Sequence, residues 1–134
     1  MKPGCEIVIR AHGPDDIPFI MREWLRTYSQ SEWAKRIDRD TFFRHHHAYA
    51  TVLMQRTGAV VAAFPDAPDV LCGFLVGAGQ QMHYAFVKGQ FRRWGIGAEM
   101  VQHVFGDKQI QYSHSTHDGR ALLSRRQARY NPYL

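Results

Sequence analysis

The sequence predicts one domain of the α/β (α+β) class, with about six strands and about four helices, and three observations predict it. Helical periodicity dominates the stretch from Pro14 to Gly58. Short apolar runs at 59–64 and 70–76 follow, bounded by turn residues. A further strand, 82–88, then passes through a glycine-bearing turn into another helical pattern.

Glu6 to Arg10 alternates weakly about Ile7 and Ile9 and ends at Gly13-Pro14, which reads as a strand and its turn. Pro14 opens a helix, with Asp15 and Asp16 where acidic groups favour a helix N-terminus. Ile17, Ile20, Met21, Trp24, Leu25 and Tyr28 recur at helical spacing until Ser29-Gln30-Ser31 interrupts them. A further helical stretch is expected from Ser31, with Glu32, Trp33, Ala34 and Ile37. After Asp40 a longer one carries Phe42, Phe43, Ala50, Leu53 and Met54 to Gly58.

The runs Ala59 to Phe64 and Val70 to Val76, joined by Pro65-Asp66-Ala67-Pro68-Asp69, read as a hairpin. Gly77 and Gly79 permit a bend before the strand Met82 to Lys88. Past Gly97, the residues Met100, Val101, Val104 and Phe105 have helical spacing. Ile110 to Ser113 reads as a strand, Gly119 to Arg129 as a basic helix and Tyr130 to Leu134 as an extended end. No repeat, low-complexity tract or linker divides residues 1–134, so a single domain is expected.

The 134 residues are 45% apolar, enough to furnish a core without disulfides or metals. The two cysteines, Cys5 and Cys72, have no metal-ligand spacing, which suits a reducing, cytoplasmic setting. No signal-like run opens the chain, and no stretch reaches the roughly 18 apolar residues of a membrane span. Neither export nor a membrane partner is expected. The net charge of +5 favours anionic partners. The basic residues are scattered, without a lysine-rich tail, so solubility and cofactor attraction rank above nucleic-acid binding.

Chemistry is carried by Arg92-Arg93-Trp94-Gly95-Ile96-Gly97. A glycine turn that opens a helix gathers unpaired backbone N–H groups at the positive end of the helix dipole, a seat for a pyrophosphate. The turn lacks the lysine and hydroxyl of a nucleotide-hydrolysing P-loop and the three-glycine spacing of a dinucleotide site. A tight turn needed only for packing is the competing explanation of the two glycines.

The segment resembles the signature of the GNAT superfamily of coenzyme A-dependent N-acetyltransferases: Arg or Gln, two residues, Gly, one residue, then Gly or Ala, at a strand-to-helix junction. Arg92, Gly95 and Gly97 match, and Ala85-Phe86-Val87 falls in the register of the family's apolar triplet. The order of predicted elements also fits over most of the chain. The resemblance implies a mixed central sheet with splayed central strands, and acetyl-CoA as co-substrate with no metal. Backbone amides from Arg93 through Trp94, Gly95, Ile96 and Gly97 to Ala98 would hold the pyrophosphate, and the backbone of Phe86 and Val87 would pair with the pantetheine arm. Direct transfer to a primary amine on a small molecule, peptide or protein is implied, by a monomer or homodimer.

His83 and Tyr84 open the motif strand, while His114 and His117 follow the next one, so several imidazoles are expected near the mouth of the slot. His83 and His114 are the candidate bases; an exposed or packing histidine is the plainer role for each. His45-His46-His47 cannot face one metal from a helix. Family members often carry a tyrosine as general acid in the last helix. Asp118 and Ala121 fit that pattern but Arg125 takes the tyrosine's place, leaving Ser124, Tyr112 or Tyr130 as substitutes, or no acid. Trp24, Tyr28, Trp33 and Phe43 line the acceptor side in such a fold, or simply fill a core. Two other classes stay open: a nucleic-acid- or aminoacyl-tRNA-directed acyltransferase, and a catalytically silent binding domain of this fold.

Overall fold

The computed structural model describes residues 6–134, so Cys5 lies outside the described residues. Six strands form one sheet in chain order: β1 (Val8–Ala11), β2 (Ala59–Phe64), β3 (Ala67–Ala78), β4 (Gln81–Val87), β5 (Gln111–Tyr112) and β6 (Arg129–Tyr130). The pairs from β1 to β4 are antiparallel, whereas β5 runs parallel to β4 and β6 parallel to β5. Parallel neighbours need crossover connections. The helices α3 (Ile96–Phe105) and α4 (His117–Leu122) supply them, while α1 (Ile17–Tyr28) and α2 (Arg39–Thr57) lie between β1 and β2 in the chain.

Each long helix follows its apolar spacing. α1 buries Ile20, Met21, Trp24, Leu25 and Tyr28, and α2 buries Phe42, His46, Ala50, Leu53 and Met54. Both pack on one face of the sheet against Val61, Phe74, Val76 and Tyr84. α3 covers the opposite face, where Ile96, Met100, Val101 and Phe105 meet Ala62, Leu75 and Met82.

Two expected helices differ. The stretch from Ser31 forms only a 3-10 turn at Ala34–Arg36, because Ile37 is extended and Asp38 caps α2, its carboxylate accepting the Thr41 N–H at 3.1 Å. The basic helix expected over 119–129 stops at Leu122. Leu123 turns into the core at 3% exposure, and the arginine-rich remainder has no apolar stripe to continue a helix. Gln127 at φ 51° bends the chain so that the Arg129 N–H reaches the Ile110 carbonyl and β6 joins the sheet.

A β-bulge sets the shape of the middle of the sheet. Val76 pairs with Tyr84 and Gly77 with Met82, so His83 is an extra residue on β4. The backbones crowd here: a Cβ on Gly77 would lie 2.5 Å from the Gln81 carbonyl oxygen. The extra residue lets Met82 keep to the α3 face while Tyr84 and Phe86 turn to the face of α1 and α2. On its other flank β4 pairs with β5 only at Gln81 and Met82, with one more bond from the Ser113 N–H to the Met82 carbonyl at 3.1 Å. Among the described residues, Tyr84 to Val87 have no strand on that flank.

Candidate active site

Where β5 leaves β4 the molecule opens into a cleft of about 1080 Å³. Tyr84 to Val87 form one wall, the turn from Phe91 to Ala98 closes one end, Ser115 to Leu122 form the other wall, and Thr27 with Gln30 to Trp33 lie at the remaining end. The volume is at the upper limit of the ~300–1,000 Å³ usual for small-molecule sites.

Local backbone geometry makes the turn a donor site. Arg93 and Gly95 both have positive φ, 69° and 80°, and Gly95 caps α3. The first bond of that helix runs from the Glu99 N–H to the Gly95 carbonyl at 3.0 Å, so the N–H groups of Ile96, Gly97 and Ala98 sit at the positive helix end without an intrahelical acceptor. A left-handed conformation at an arginine is uncommon and costs about 1–3 kcal/mol. Trp94 stands edge-on to Phe91 at 5.0 Å, which fixes the turn from outside the cleft's floor. Arg92 spans the opening, donating from Nη1 to Asp118 on α4 at 2.9 Å and from Nε to the Val87 carbonyl at 3.4 Å.

No family model matches the chain, and no curated protein is significantly similar to it in sequence. Solved structures are similar. The apo form of YjaB from Escherichia coli shares 19% identity at a TM-score of 0.54, over 73% of this chain and 63% of that one. A possible acetyltransferase from Clostridium difficile 630 shares 14% at 0.55, over 86% and 84%. The fold is the GNAT fold. A third structure, yncA from Salmonella typhimurium with its cofactor acetyl-CoA, shares 13% at 0.47 over 74% and 61%, too loose a likeness to carry weight. The chain thus spans about three-fifths of the length of YjaB and yncA. At such identities the likeness is one of fold, and the splayed strands expected from the GNAT signature are the parted β4 and β5.

Of the four expected catalytic side chains, only Tyr84 lines the cleft. Its hydroxyl lies 2.7 Å from Thr27 Oγ1, which itself donates to the Glu23 carbonyl at 2.6 Å, and burial raises the phenol's pKa. His83 and His114, expected at the mouth, are instead buried at 1% and 5% exposure. The bulge and the end of β5 turn both rings into the vertex of the parted strands. Ser124 is exposed beyond α4, outside the cleft, and Tyr112 packs on Tyr130 at 5.5 Å. His117, fully open to solvent, does line the cleft.

The vertex holds a chain of hydrogen bonds. His83 Nδ1 lies 2.7 Å from Ser113 Oγ, Ser113 Oγ 2.8 Å from His114 Nδ1, and His114 Nε2 2.8 Å from Nε2 of His46 on α2. Burial pushes His46 and His83 down to about 4, and His114 further, so all three rings are neutral near pH 7. The chain ties β4 to β5 and β5 to α2 at the point where the sheet divides. His46 was legible in part, since its spacing from Phe42 and Ala50 sets it on the inner face of α2, while His45 and His47 face outward. Nothing local announces Ser113, Thr27 or the pairing of Arg92 with Asp118. Trp24 and Tyr28 are core residues at 0% and 6%, Phe43 is half-buried, and Trp33 is 55% exposed on the cleft.

Proposed function

We propose that the chain is an acetyl-CoA-dependent N-acetyltransferase that moves the acetyl group directly to a primary amine. One observation supports this reading above the others: a strand with a free backbone flank, Tyr84 to Val87, leads into a helix-opening turn that presents unpaired N–H groups to the same cleft. When bound, the thioester supplies an acyl group activated toward an amine.

The residues present fit that group. The amides of Ile96, Gly97 and Ala98, with Arg93 on the same turn and Arg120 lining the cleft from α4, suit a diphosphate. The free flank of Phe86 and Val87 suits an extended, amide-bearing arm, once Arg92 gives up the Val87 carbonyl. A backbone N–H near Val87 is the donor that would face the developing oxyanion. Tyr84 on that wall is held protonated by burial, its O–H donated to Thr27 Oγ1, and His117 is the exposed imidazole on the cleft. The acceptor is an amine on a small molecule, peptide or protein, with nucleic acid secondary.

Isothermal titration with acetyl-CoA tests the reading. Micromolar binding is expected, weakened about tenfold by Arg92→Glu, since one reversed charge beside an anion is worth roughly 1–2 kcal/mol. A folded protein that takes up no acetyl-CoA at high micromolar concentration rules it out.

A further inference from the structure

The two ends of the cleft differ in charge. Arg92 and Arg93 lie on the turn that opens α3 at the diphosphate end and Arg120 lies on the wall formed by α4, whereas the other end is formed by Thr27, Gln30, Ser31, Glu32 and Trp33. Among the described residues two carboxylates line the cleft, Glu32 and Asp118, and Asp118 is already paired with Arg92. Glu32 makes no ion pair among the described residues. Beside it Trp33 is 55% exposed, an unusual state for an indole, yet its ring is braced by Tyr28 at 5.9 Å, His46 at 6.1 Å and Phe42 at 6.3 Å. A fixed aromatic face next to an unpaired carboxylate is a site for an organic cation.

We infer that Glu32 and Trp33 form a specificity subsite for a second positive charge on the acceptor, which makes the substrate a diamine or a basic peptide rather than a simple monoamine. The inference rests on the acyltransferase reading of the cleft. Its chemical ground is that the attacking nitrogen must be neutral when it attacks, so it cannot be the charge a carboxylate holds through the reaction. A cation held by Glu32 is therefore a different group of the same molecule. The arginines at the far end reinforce the polarity by repelling that cation away from the diphosphate seat.

Binding can be read without turnover. The protein is first titrated with desulfo-CoA, a non-reactive cofactor, and the saturated complex then receives 1,4-diaminobutane or butylamine while the indole N–H resonance of Trp33, assigned with Trp33→Leu, is followed by NMR. The diamine is expected to bind at least about tenfold more tightly than the monoamine, to shift the Trp33 signal and to weaken with salt. Glu32→Gln should erase the difference while leaving cofactor affinity unchanged. Equal affinities for the two amines, or a preference that survives Glu32→Gln, would overturn the subsite and leave the acyltransferase reading standing. Failure of the folded protein to bind both desulfo-CoA and acetyl-CoA would remove that reading, and this inference with it.

Discussion

The two faces of the sheet bury their residues by different means. Under α3 the core is mostly aliphatic, with Ala62, Leu75, Met82, Ile96, Met100, Val101 and Ile110 packed around the rings of Phe91 and Phe105. Under α1 and α2 it is a nest of rings, in which Trp24 stacks on Tyr84 at 5.6 Å and His114 meets Tyr28 at 4.7 Å and Tyr49 at 5.8 Å. That face also carries the buried imidazole chain and reaches the cleft through Tyr84 and Trp33. An aliphatic face tolerates any change that keeps volume, whereas a face stabilised by hydrogen bonds between neutral rings depends on protonation state.

Acid should separate the two most strongly. A histidine whose folded pKa lies below its unfolded value leaves the unfolded state holding more protons between the two, so stability is complete above about 6.5 and is lost as pH falls toward about 4. His46 alone accounts for about 3 kcal/mol over that window. Urea unfolding at pH 7.5 and pH 4.5 should show a loss of at least that size, and His46→Phe should flatten the profile. A stability independent of pH from 7.5 to 4.5 would mean that the rings are not held neutral.

Substitution sharpens the same contrast at a fixed pH. His114→Leu keeps the bond between His83 and Ser113 but leaves His46 Nε2 buried without its partner, an expected cost of about 2–3 kcal/mol at pH 7.5. Met100→Leu on the other face keeps volume and should cost less than about 1.5 kcal/mol. Denaturant midpoints measured side by side check the difference, and equal losses would show the hydrogen-bond chain to be of no consequence for stability.

The legible parts of this chain were those decided locally. α1, α2 and the hairpin follow from apolar spacing and from Pro65-Asp66, and the strand, turn and helix from 81 to 105 announce themselves by Gly95 and Gly97. The rest depends on partners distant in sequence. The end of α4 is set by Arg129 pairing back to Ile110, and the burial of His83 by a bulge that exists only in register with β3. A histidine on a half-polar strand looks the same in sequence whether its ring meets solvent or Ser113. For that reason the helix-opening turn could be read from its own residues and the buried chain through His83, Ser113, His114 and His46 could not.

Gly95 sits at φ 80°, where a β-carbon is strained, so Gly95→Ala should cost about 1–2 kcal/mol. Thermal unfolding checks that figure, and acetyl-CoA titration should show a loss beyond it, because a shift in the turn re-aims the N–H groups of α3. Unchanged affinity would dissociate the turn from the cofactor.

The smallest effect is expected where the cleft is bridged. Arg92 and Asp118 are both more than half exposed, and a pair in that setting contributes at most about 1 kcal/mol. Asp118→Asn should therefore leave the melting temperature nearly unchanged. Its effect on ligand binding has the opposite sign to that of Arg92→Glu: freed from the carboxylate, the guanidinium of Arg92 can turn to an anion in the cleft, and acetyl-CoA should bind as tightly or up to about threefold more tightly. Weaker binding in Asp118→Asn would show instead that the bridge holds α4 in the position the ligand needs. Salt distinguishes the two, since screening abolishes a competition between charges and leaves a packing role intact.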